Sequence, residues 1–275
     1  MQAEAKSDKG LDLFAVRSIL FLPASNPRAI AKAREAGADL VVLDLEDAVK
    51  PEDKDAARDS AVEALERAWP MPVAIRVNGV GTEWHSLDLD AVARSKADLA
   101  VVPRAISAHL VHGIAESVGR PVLAMVETAA GVLAAPEIAL ETAALIAGTN
   151  DLRADLRLPL GATREPISVS LQLIVLAARA AGVAVFDGVF NNLEGGDAFL
   201  REAEEGRRLG FDGKSLIPPN QIEPCHRAFA PDQAELERAR ALVDAFRGGA
   251  ERLGDEMIER MHVEAARRVL ARAKP

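Results

Sequence analysis

The sequence has a single cysteine, Cys225, among 275 residues, which excludes an internal disulfide framework. Cations are also scarce, because 33 Lys and Arg face 42 Asp and Glu and give a net charge of −9. This balance argues against nucleic acid as the main partner. No apolar run approaches the roughly 20 residues that a membrane-spanning helix needs, and the polar first twelve residues lack the apolar segment of a secretory signal. We therefore expect a cytoplasmic protein with no nucleic-acid or membrane partner.

Short apolar runs alternate with helical segments along most of the chain. Eight such runs read as strands, each followed by a helix, over residues 18–23, 39–46, 73–78, 99–104, 121–127, 144–151, 184–188 and 213–218. Eight strand–helix units are what a (β/α)8 barrel requires, and buried parallel strands are apolar in this way. A doubly wound sheet would need a glycine-rich fingerprint after its first strand, but the loop there reads PASNPR. The pattern predicts an α/β fold, a (β/α)8 TIM barrel.

The ends of the chain differ in character from the barrel segment. We expect residues 1–16 to be a flexible N-terminus, residues 17–230 to form the barrel, and residues 231–275 to be a C-terminal helical extension. The extension reads as two helices that flank a turn around Gly248, Gly249 and Gly254. In a barrel protein such a tail is expected to act as a lid over the carboxyl face of its own or a neighbouring subunit.

Two carboxylates, Glu127 and Asp151, end successive predicted strands. If both strands belong to one parallel sheet, the two side chains emerge side by side at its carboxyl edge, where α/β barrels bind their ligands. Adjacent carboxylates repel each other unless a cation lies between them, and a hard divalent ion such as Mg²⁺ suits their oxygens. The alternative is that Glu127 caps the following helix and Asp151 is a turn residue.

Other polar residues also end the predicted strands. They are Asp44, Glu46 and Asp47 on the second strand, Arg76 and Asn78 on the third, Arg104 on the fourth and Asp187 on the seventh. Arg76 is the most informative, because it interrupts an apolar strand, where a guanidinium without a partner is costly to bury. Its fork can hold a carboxylate bidentately. The cluster suits a metal and an anionic small molecule, and the alternative for Arg76 is an internal ion pair with Asp44 or Glu46.

Several segments resemble, in the same order, the successive motifs of the citrate lyase β-subunit-like family within the HpcH/HpaI aldolase superfamily. These segments are RSILFLPASNPRAIAKA, DLVVLDLEDAVKPEDKDAAR, VAIRVNGVGT, VETAAGVLAAPEIA, GTNDLRADL and GFDGKSLIPPNQI. The resemblance implies a (β/α)8 barrel that uses Mg²⁺, with Mn²⁺ as an alternative ion. It also implies an enzyme that cleaves or forms a carbon–carbon bond in a CoA thioester of a 3-hydroxy dicarboxylic acid, of the citramalyl, malyl or citryl type. The partners would be the acyl thioester, the oxo acid and further copies of the chain in a trimer or hexamer.

The resemblance also assigns roles to residues. It makes Glu127 and Asp151 the metal ligands and Arg76 the residue that holds the carboxylate of the oxo acid. The acidic loop after the second strand would orient the waters of the metal, and its members are Asp44, Glu46 and Asp47.

The remaining assignments concern the thioester. Arg28 and Lys32 match basic positions that meet the phosphates of the thioester carrier. Glu259 takes the place of an aspartate that, in relatives with a long tail, works as acid or base on the acyl carbon of a neighbouring subunit's site.

This chain departs from the family pattern at three positions. Pro218 stands where many relatives have a histidine, Asn150 replaces an acidic residue, and Glu259 is one methylene longer than the aspartate of relatives. Three functions therefore stay open: a Mg²⁺-dependent carbon–carbon lyase, a thioesterase or free oxo-acid aldolase on the same scaffold, and a non-catalytic metabolite-binding subunit.

Overall fold

The computed structural model describes residues 11–273, and its central feature is a closed barrel of eight parallel strands. The strands are β1 (Ser18–Pro23), β2 (Leu40–Asp44), β3 (Val73–Arg76), β4 (Leu99–Val102), β5 (Val122–Val126), β6 (Ala144–Ala147), β7 (Ala184–Asp187) and β8 (Gly213–Leu216). Each strand pairs with the next in sequence, and β8 closes onto β1, where Ser18 lies opposite Lys214. The predicted (β/α)8 barrel is confirmed.

Helices follow the strands and surround the barrel. They are α1 (Pro27–Ala33), α2 (Lys54–Ala64), α3 (His85–Arg94), α4 (Ala108–Val118), α5 (Ala129–Ile138), α6 (Thr149–Asp155), α7 (Ser168–Ala181), α8 (Gly196–Leu209) and α9 (Ile222–Phe229). Their starts follow local capping chemistry, since the side chain of Asn26 accepts from the α1 backbone and that of Ser107 from the α4 backbone. Helix α4 ends at Gly119, whose φ of 61° is the left-handed conformation that glycine tolerates.

Apolar side chains fill the inside of the barrel and exclude water from it. Successive side chains of a strand point to opposite faces, so one set fills the interior and the other packs under the helices. The interior cluster includes Ile19, Phe21, Leu40, Val42, Ala74, Val101, Leu123, Ile146 and Phe186. Because both faces of each strand are buried, the strands are mainly apolar, with Ser18 of β1 and Lys214 and Ser215 of β8 as buried exceptions. Most of the other polar residues of the strands lie at or just after their carboxyl ends.

A second compact unit begins at Phe229. It contains α10 (Gln233–Ala245), β9 (Glu251–Leu253), β10 (Glu256–Ile258) and α11 (Arg260–Ala271). The two helices confirm the predicted helical extension, but the turn predicted between them is a short antiparallel hairpin with Gly254, at a φ of 61°, between its strands. The division of the chain into a barrel over residues 17–230 and a tail or lid over residues 231–275 stays a prediction.

The N-terminal segment is only partly within the described residues. Residues 1–10 of the predicted flexible terminus lie outside them. Residues 11–16 have a defined conformation, because a 3-10 turn at Leu13–Ala15 is capped by Asp12, and Leu11 and Leu13 pack against the barrel core. Within residues 11–273, no helix combines the length and the apolarity needed to cross a membrane.

Candidate active site

A pocket with a cavity of about 300 Å³ opens among the carboxyl ends of the strands. Its charged lining residues are four acids and one cation, namely Asp44, Asp47, Glu127, Asp151 and Arg76. Apolar side chains complete the wall, among them Phe21, Pro23, Met125, Val189 and Ile217. The predicted metal carboxylates and the predicted substrate arginine therefore line one cavity.

Glu127 follows β5 and is almost fully buried, with 3% of its surface exposed. Its Oε1 accepts a hydrogen bond of 2.6 Å from the backbone N–H of Arg104. Burial raises the pKa of Glu127 to about 7; the charge of Asp151 adds to this rise, and the hydrogen bond from Arg104 opposes it. Helix α5 is instead capped by Thr128, so the alternative of Glu127 as a helix cap is wrong.

Gly148, between β6 and α6, makes room for this carboxylate. A β-carbon on residue 148 would overlap with both Cβ and Oε2 of Glu127. The position therefore accepts only glycine while Glu127 keeps its conformation.

Asp151 reaches the pocket from a helix and not from a strand. The predicted strand over 144–151 ends at Ala147, and Asp151 is the third residue of α6. Its side chain is 41% exposed, with Oδ1 3.8 Å from Nη1 of Arg104. The chain turns at Gly148 to form α6, and this turn brings Asp151 into the same cavity as Glu127.

The two carboxylates form a donor set that fits Mg²⁺. No group of three or more His, Cys, Asp or Glu side chains converges as a metal site anywhere in residues 11–273. Mg²⁺ does not need such a cage, because it commonly binds one or two carboxylates and completes its octahedron with water and substrate oxygens. Glu127 and Asp151, lining an open cavity, match this pattern.

Arg76, at the end of β3, is held by the acidic segment that follows β2. Its Nε and Nη2 donate to the two carboxylate oxygens of Asp44 at 2.7 and 2.6 Å. Its Nη1 lies 2.7 Å from Oε2 of Glu46 and 3.7 Å from Oδ2 of Asp47. Burial disfavours the charged guanidinium, but the charges of Asp44 and Glu46 outweigh it and raise the pKa of Arg76. The alternative of an internal ion pair is thus confirmed, in a residue that also lines the pocket.

The same acidic segment is folded around the Asp44 carboxylate. Asp44 accepts hydrogen bonds from the backbone N–H groups of Glu46 and Ala48, at 2.9 and 3.1 Å. Burial raises the pKa of Glu46 to about 8, against the opposing charge of Arg76. Within residues 11–273, its Oε2 makes no hydrogen bond of good geometry, although it lies 2.7 Å from the guanidinium. The three predicted acidic residues therefore surround Arg76.

Asp187 is not part of this site, although the sequence placed it in the acidic cluster. It is fully buried, and its carboxylate pairs with Arg164 at 2.7 Å and with Lys214 at 2.9 Å. A β-carbon on Gly206 of α8 would lie 2.6 Å from Asp187 Oδ2, so the side chain points towards the helices. Ala184 and Phe186 of β7 face the barrel interior, so the alternation of side chains turns Asp187 outwards. Val189, in the segment that follows β7, lines the pocket instead.

Three predicted site residues are not part of the pocket lining, namely Arg28, Lys32 and Glu259. Arg28 and Lys32 are both exposed on α1, the helix that follows β1. Glu259 belongs to the C-terminal unit, at the residue that caps α11, where its backbone N–H donates to Nδ1 of His262 at 2.9 Å. Their roles towards the thioester stay predictions.

Sequence reasoning missed several residues close to the site. Thr149 and Ser215 line the pocket, and each has a buried hydroxyl without a hydrogen-bond partner among the described residues. Lys54 is buried beside the acidic segment and hydrogen-bonds to it. The only signal for Lys54 was its position in the charged run KPEDKD, which resembles an ordinary solvated helix start.

Comparisons with known proteins agree with this geometry. Residues 17–219 match the HpcH/HpaI aldolase/citrate lyase family. The chain is 40% identical over 270 residues to a (3S)-malyl-CoA thioesterase of Cereibacter sphaeroides, with 94% of each chain covered. It is 36% identical over 285 residues to the citrate lyase subunit beta of Haemophilus influenzae, covering 94% of this chain and 97% of that protein.

A solved structure of a relative supports the same family relationship. The protein CitE of Mycobacterium tuberculosis, in complex with magnesium, acetoacetate and coenzyme A, superposes with a TM-score of 0.84 at 33% identity. The match covers 94% of this chain and 99% of that one. Since the family match spans most of the chain and the relatives are similar over nearly their whole length, this protein belongs to the HpcH/HpaI aldolase/citrate lyase family, as a citrate lyase β-subunit-like enzyme.

Proposed function

We propose that this enzyme is a Mg²⁺-dependent carbon–carbon lyase that cleaves, or in reverse forms, the CoA thioester of a 3-hydroxy dicarboxylic acid. The observation that carries the proposal is the convergence of Glu127, Asp151 and Arg76 on one cavity at the carboxyl ends of the strands. The relatives support it, since one is named for malyl-CoA, one for citrate lyase, and one was solved with magnesium, acetoacetate and coenzyme A.

In this proposal Glu127 and Asp151 hold the metal ion. When bound there, Mg²⁺ (or Mn²⁺) acts as a Lewis acid towards the oxygens of the substrate. Glu127 must be ionised to serve as a ligand, and its pKa of about 7 places this ionisation in the physiological range.

Arg76 is proposed to hold the carboxylate of the oxo acid. A bidentate pair with Asp44 orients the guanidinium, and Nη1 is the remaining nitrogen, close to Glu46 and Asp47. With a pKa of about 8, Glu46 is mostly protonated at pH 7, so it adds little negative charge beside Nη1. Since Asp44 binds Nε and Nη2, the N–H groups of Nη1 can donate to the carboxylate of a substrate.

Cleavage requires two proton movements. The 3-hydroxyl loses its proton as the bond between its carbon and the α-carbon of the thioester breaks, and the electron pair passes to that α-carbon. The oxo acid and a thioester enolate result, and the enolate must then gain a proton at carbon. A carboxylic acid is a suitable donor, and Glu259 is the residue proposed for this step.

The carrier is proposed to be coenzyme A, with its phosphates on the exposed cations of α1. Arg28 and Lys32 are one helical turn apart, so their side chains project from the same side of α1. They offer two positive charges on a chain whose net charge is −9. Assembly into a trimer or hexamer stays a prediction.

Hydrolysis of the same thioester is the second candidate function. The specific observation in its favour is the 40% identity to a (3S)-malyl-CoA thioesterase over 94% of both chains. A hydrolase would use the same cation and arginine to hold the acid, but a water would attack the thioester carbonyl and release free thiol. The two reactions differ in their products, so product analysis separates them.

The test is an assay of the purified protein with Mg²⁺ and malyl-CoA, citramalyl-CoA or citryl-CoA, in which oxo acid and free thiol are measured separately. Oxo acid with an acyl-CoA product, abolished by chelation and by Glu127→Gln, is the result expected for a lyase. Glu137→Gln is the matched control, because Glu137 is an exposed glutamate on α5 outside the pocket lining. Free thiol without oxo acid would establish the thioesterase, and no turnover of any of the three substrates would refute both functions.

A further inference from the structure

A lysine that the proposed mechanism does not use lies buried beneath the acidic segment 44–47. Lys54 opens α2, and only 6% of its surface is exposed. Its ammonium donates to the carbonyl oxygens of Leu45 and Glu46 at 2.7 and 2.8 Å, and to Oδ1 of Asn78 at 2.6 Å. An ammonium has three hydrogens to donate, so all three are used.

Asn78 and Asp88 extend this arrangement to α3. The side-chain nitrogen of Asn78 donates to the carbonyl oxygen of Leu45 at 2.9 Å and to the carboxylate of Asp88 at 2.6 Å. Asp88 is fully buried, and its other carboxylate oxygen accepts from Nε of Arg58 on α2 at 2.7 Å. The backbone of the acidic segment is therefore hydrogen-bonded directly to α2 through Lys54, and to α3 through Asn78 and Asp88.

These hydrogen bonds act at Leu45 and Glu46, and Glu46 is one of the three residues whose side chains reach Arg76. Lys54 bonds the carbonyl oxygen of Glu46, the residue whose Oε2 lies 2.7 Å from the guanidinium. Asp47, the next residue, lines the pocket and lies 3.7 Å from the same nitrogen. Lys54 is not itself among the residues that line the pocket.

We propose that Lys54 is a positioning residue, which fixes the backbone of residues 45–47 so that Glu46 and Asp47 hold Arg76 ready for the carboxylate of the oxo acid. The inference rests on the proposed function. An apolar side chain of similar length would leave the side-chain oxygen of Asn78 without this donor. It would also remove one of the hydrogen bonds accepted by the carbonyl oxygens of Leu45 and Glu46, which keep those from Asn78 and from the backbone of Val49. The segment would then loosen, and Glu46 and Asp47 would lose their fixed positions beside Nη1 of Arg76.

The proposed metal ligands lie apart from the acidic segment, so a test can compare the binding of Mg²⁺ with the binding of the oxo acid. Glu127 and Asp151 follow β5 and β6 and make no hydrogen bond to the segment 45–47 among those observed in residues 11–273. Loosening the segment should therefore weaken the binding of oxo acid and leave the binding of Mg²⁺ in place. A residue that merely stabilised the barrel would not separate the two.

The experiment compares Lys54→Met with the wild type and with Lys96→Met, which removes an exposed lysine paired with Glu66 at 2.7 Å. Hydrogen exchange reports on the segment through the backbone N–H groups of Glu46 and Ala48, which bond Asp44. Calorimetry measures the affinity for Mg²⁺ and, with Mg²⁺ present, for pyruvate. We expect faster exchange, pyruvate affinity and kcat/KM lowered about 100-fold, and an Mg²⁺ affinity within about threefold of the wild type.

Three results would overturn the inference: unchanged exchange at Glu46 and Ala48, unchanged pyruvate affinity and turnover despite faster exchange, or an equal loss of Mg²⁺ and pyruvate affinity. Failure of the proposed function looks different. A wild-type protein that neither turns over a thioester nor binds pyruvate would refute that function, and the role given to Lys54 with it, even where the variant's segment exchanges faster.

Discussion

Asp44 and Arg76 lie directly opposite each other on neighbouring parallel strands and form a two-bond ion pair at the floor of the pocket. The pair is buried, with side-chain exposures of 2% and 10%. Removing one partner of a buried ion pair costs far more than the pair contributes, because it leaves an uncompensated charge away from water. This relationship makes the substrate arginine a structural element as well as a binding group.

The first prediction concerns that pair. Asp44→Asn should lower the free energy of unfolding by about 3 kcal/mol, because Arg76 keeps its charge and loses its main counter-charge. Urea unfolding measures the change. Asp55→Asn is the matched control, since Asp55 also pairs with an arginine but its side chain is 81% exposed, and it should change stability by less than about 0.5 kcal/mol. Equal effects of the two substitutions would contradict the prediction.

The second prediction concerns pH. The raised pKa of Glu127, about 7, means that protons compete with the metal for this carboxylate as the pH falls. The carboxylate is mostly ionised at pH 8 and mostly protonated at pH 6, so the affinity for Mg²⁺ should fall about tenfold between these values. Calorimetric titration at several pH values measures it. An affinity that stays constant from pH 8 to pH 6 would show that Glu127 does not bind the ion.

The third prediction concerns the glycine behind Glu127. Gly148→Ala should displace that side chain, lower the affinity for Mg²⁺ and destabilise the protein by about 1–3 kcal/mol, because the added β-carbon has no space. Gly113→Ala is the control, since Gly113 lies within α4 with open space around its α-carbon. It should raise stability by about 0.5–1 kcal/mol through helix propensity. Thermal unfolding and Mg²⁺ titration of both variants decide the matter, and a Gly148→Ala variant with wild-type affinity would count against the close packing.

The fourth prediction separates the internal ion-pair network from the active site. Asp187→Asn should cost about 3–5 kcal/mol of stability, because Arg164 and Lys214 then lack their shared, fully buried counter-ion. The affinity for Mg²⁺ of the folded variant should stay within about twofold of the wild type, since Asp187 faces the helices. A selective loss of metal binding at unchanged stability would restore Asp187 to the acidic cluster in which the sequence placed it.

Local patterns in the sequence were sufficient for the architecture. Eight apolar runs with helical segments between them predict the eight strands in order, because strands buried on both faces must be apolar along their length. The same reasoning places polar residues at the carboxyl ends of the strands, and it led to Glu127, Asp151 and Arg76, which line the same cavity. Asp151 was found despite a wrong strand end, since the start of α6 lies at the same rim.

The tertiary structure alone decided what each polar side chain faces. Asp187 is the last residue of one strand, and Glu127 directly follows another. The side chain of Asp187 is buried against the helices, whereas that of Glu127 lines the cavity. The side chain of a residue at a strand end points either into the barrel or towards the helices. The register of the closed barrel decides between the two, and packing between segments far apart in the chain sets that register. Lys54 gave no local signal for the same reason. Its three acceptors lie on the segments after β2 and β3, and only the pairing of those strands brings them together around one ammonium.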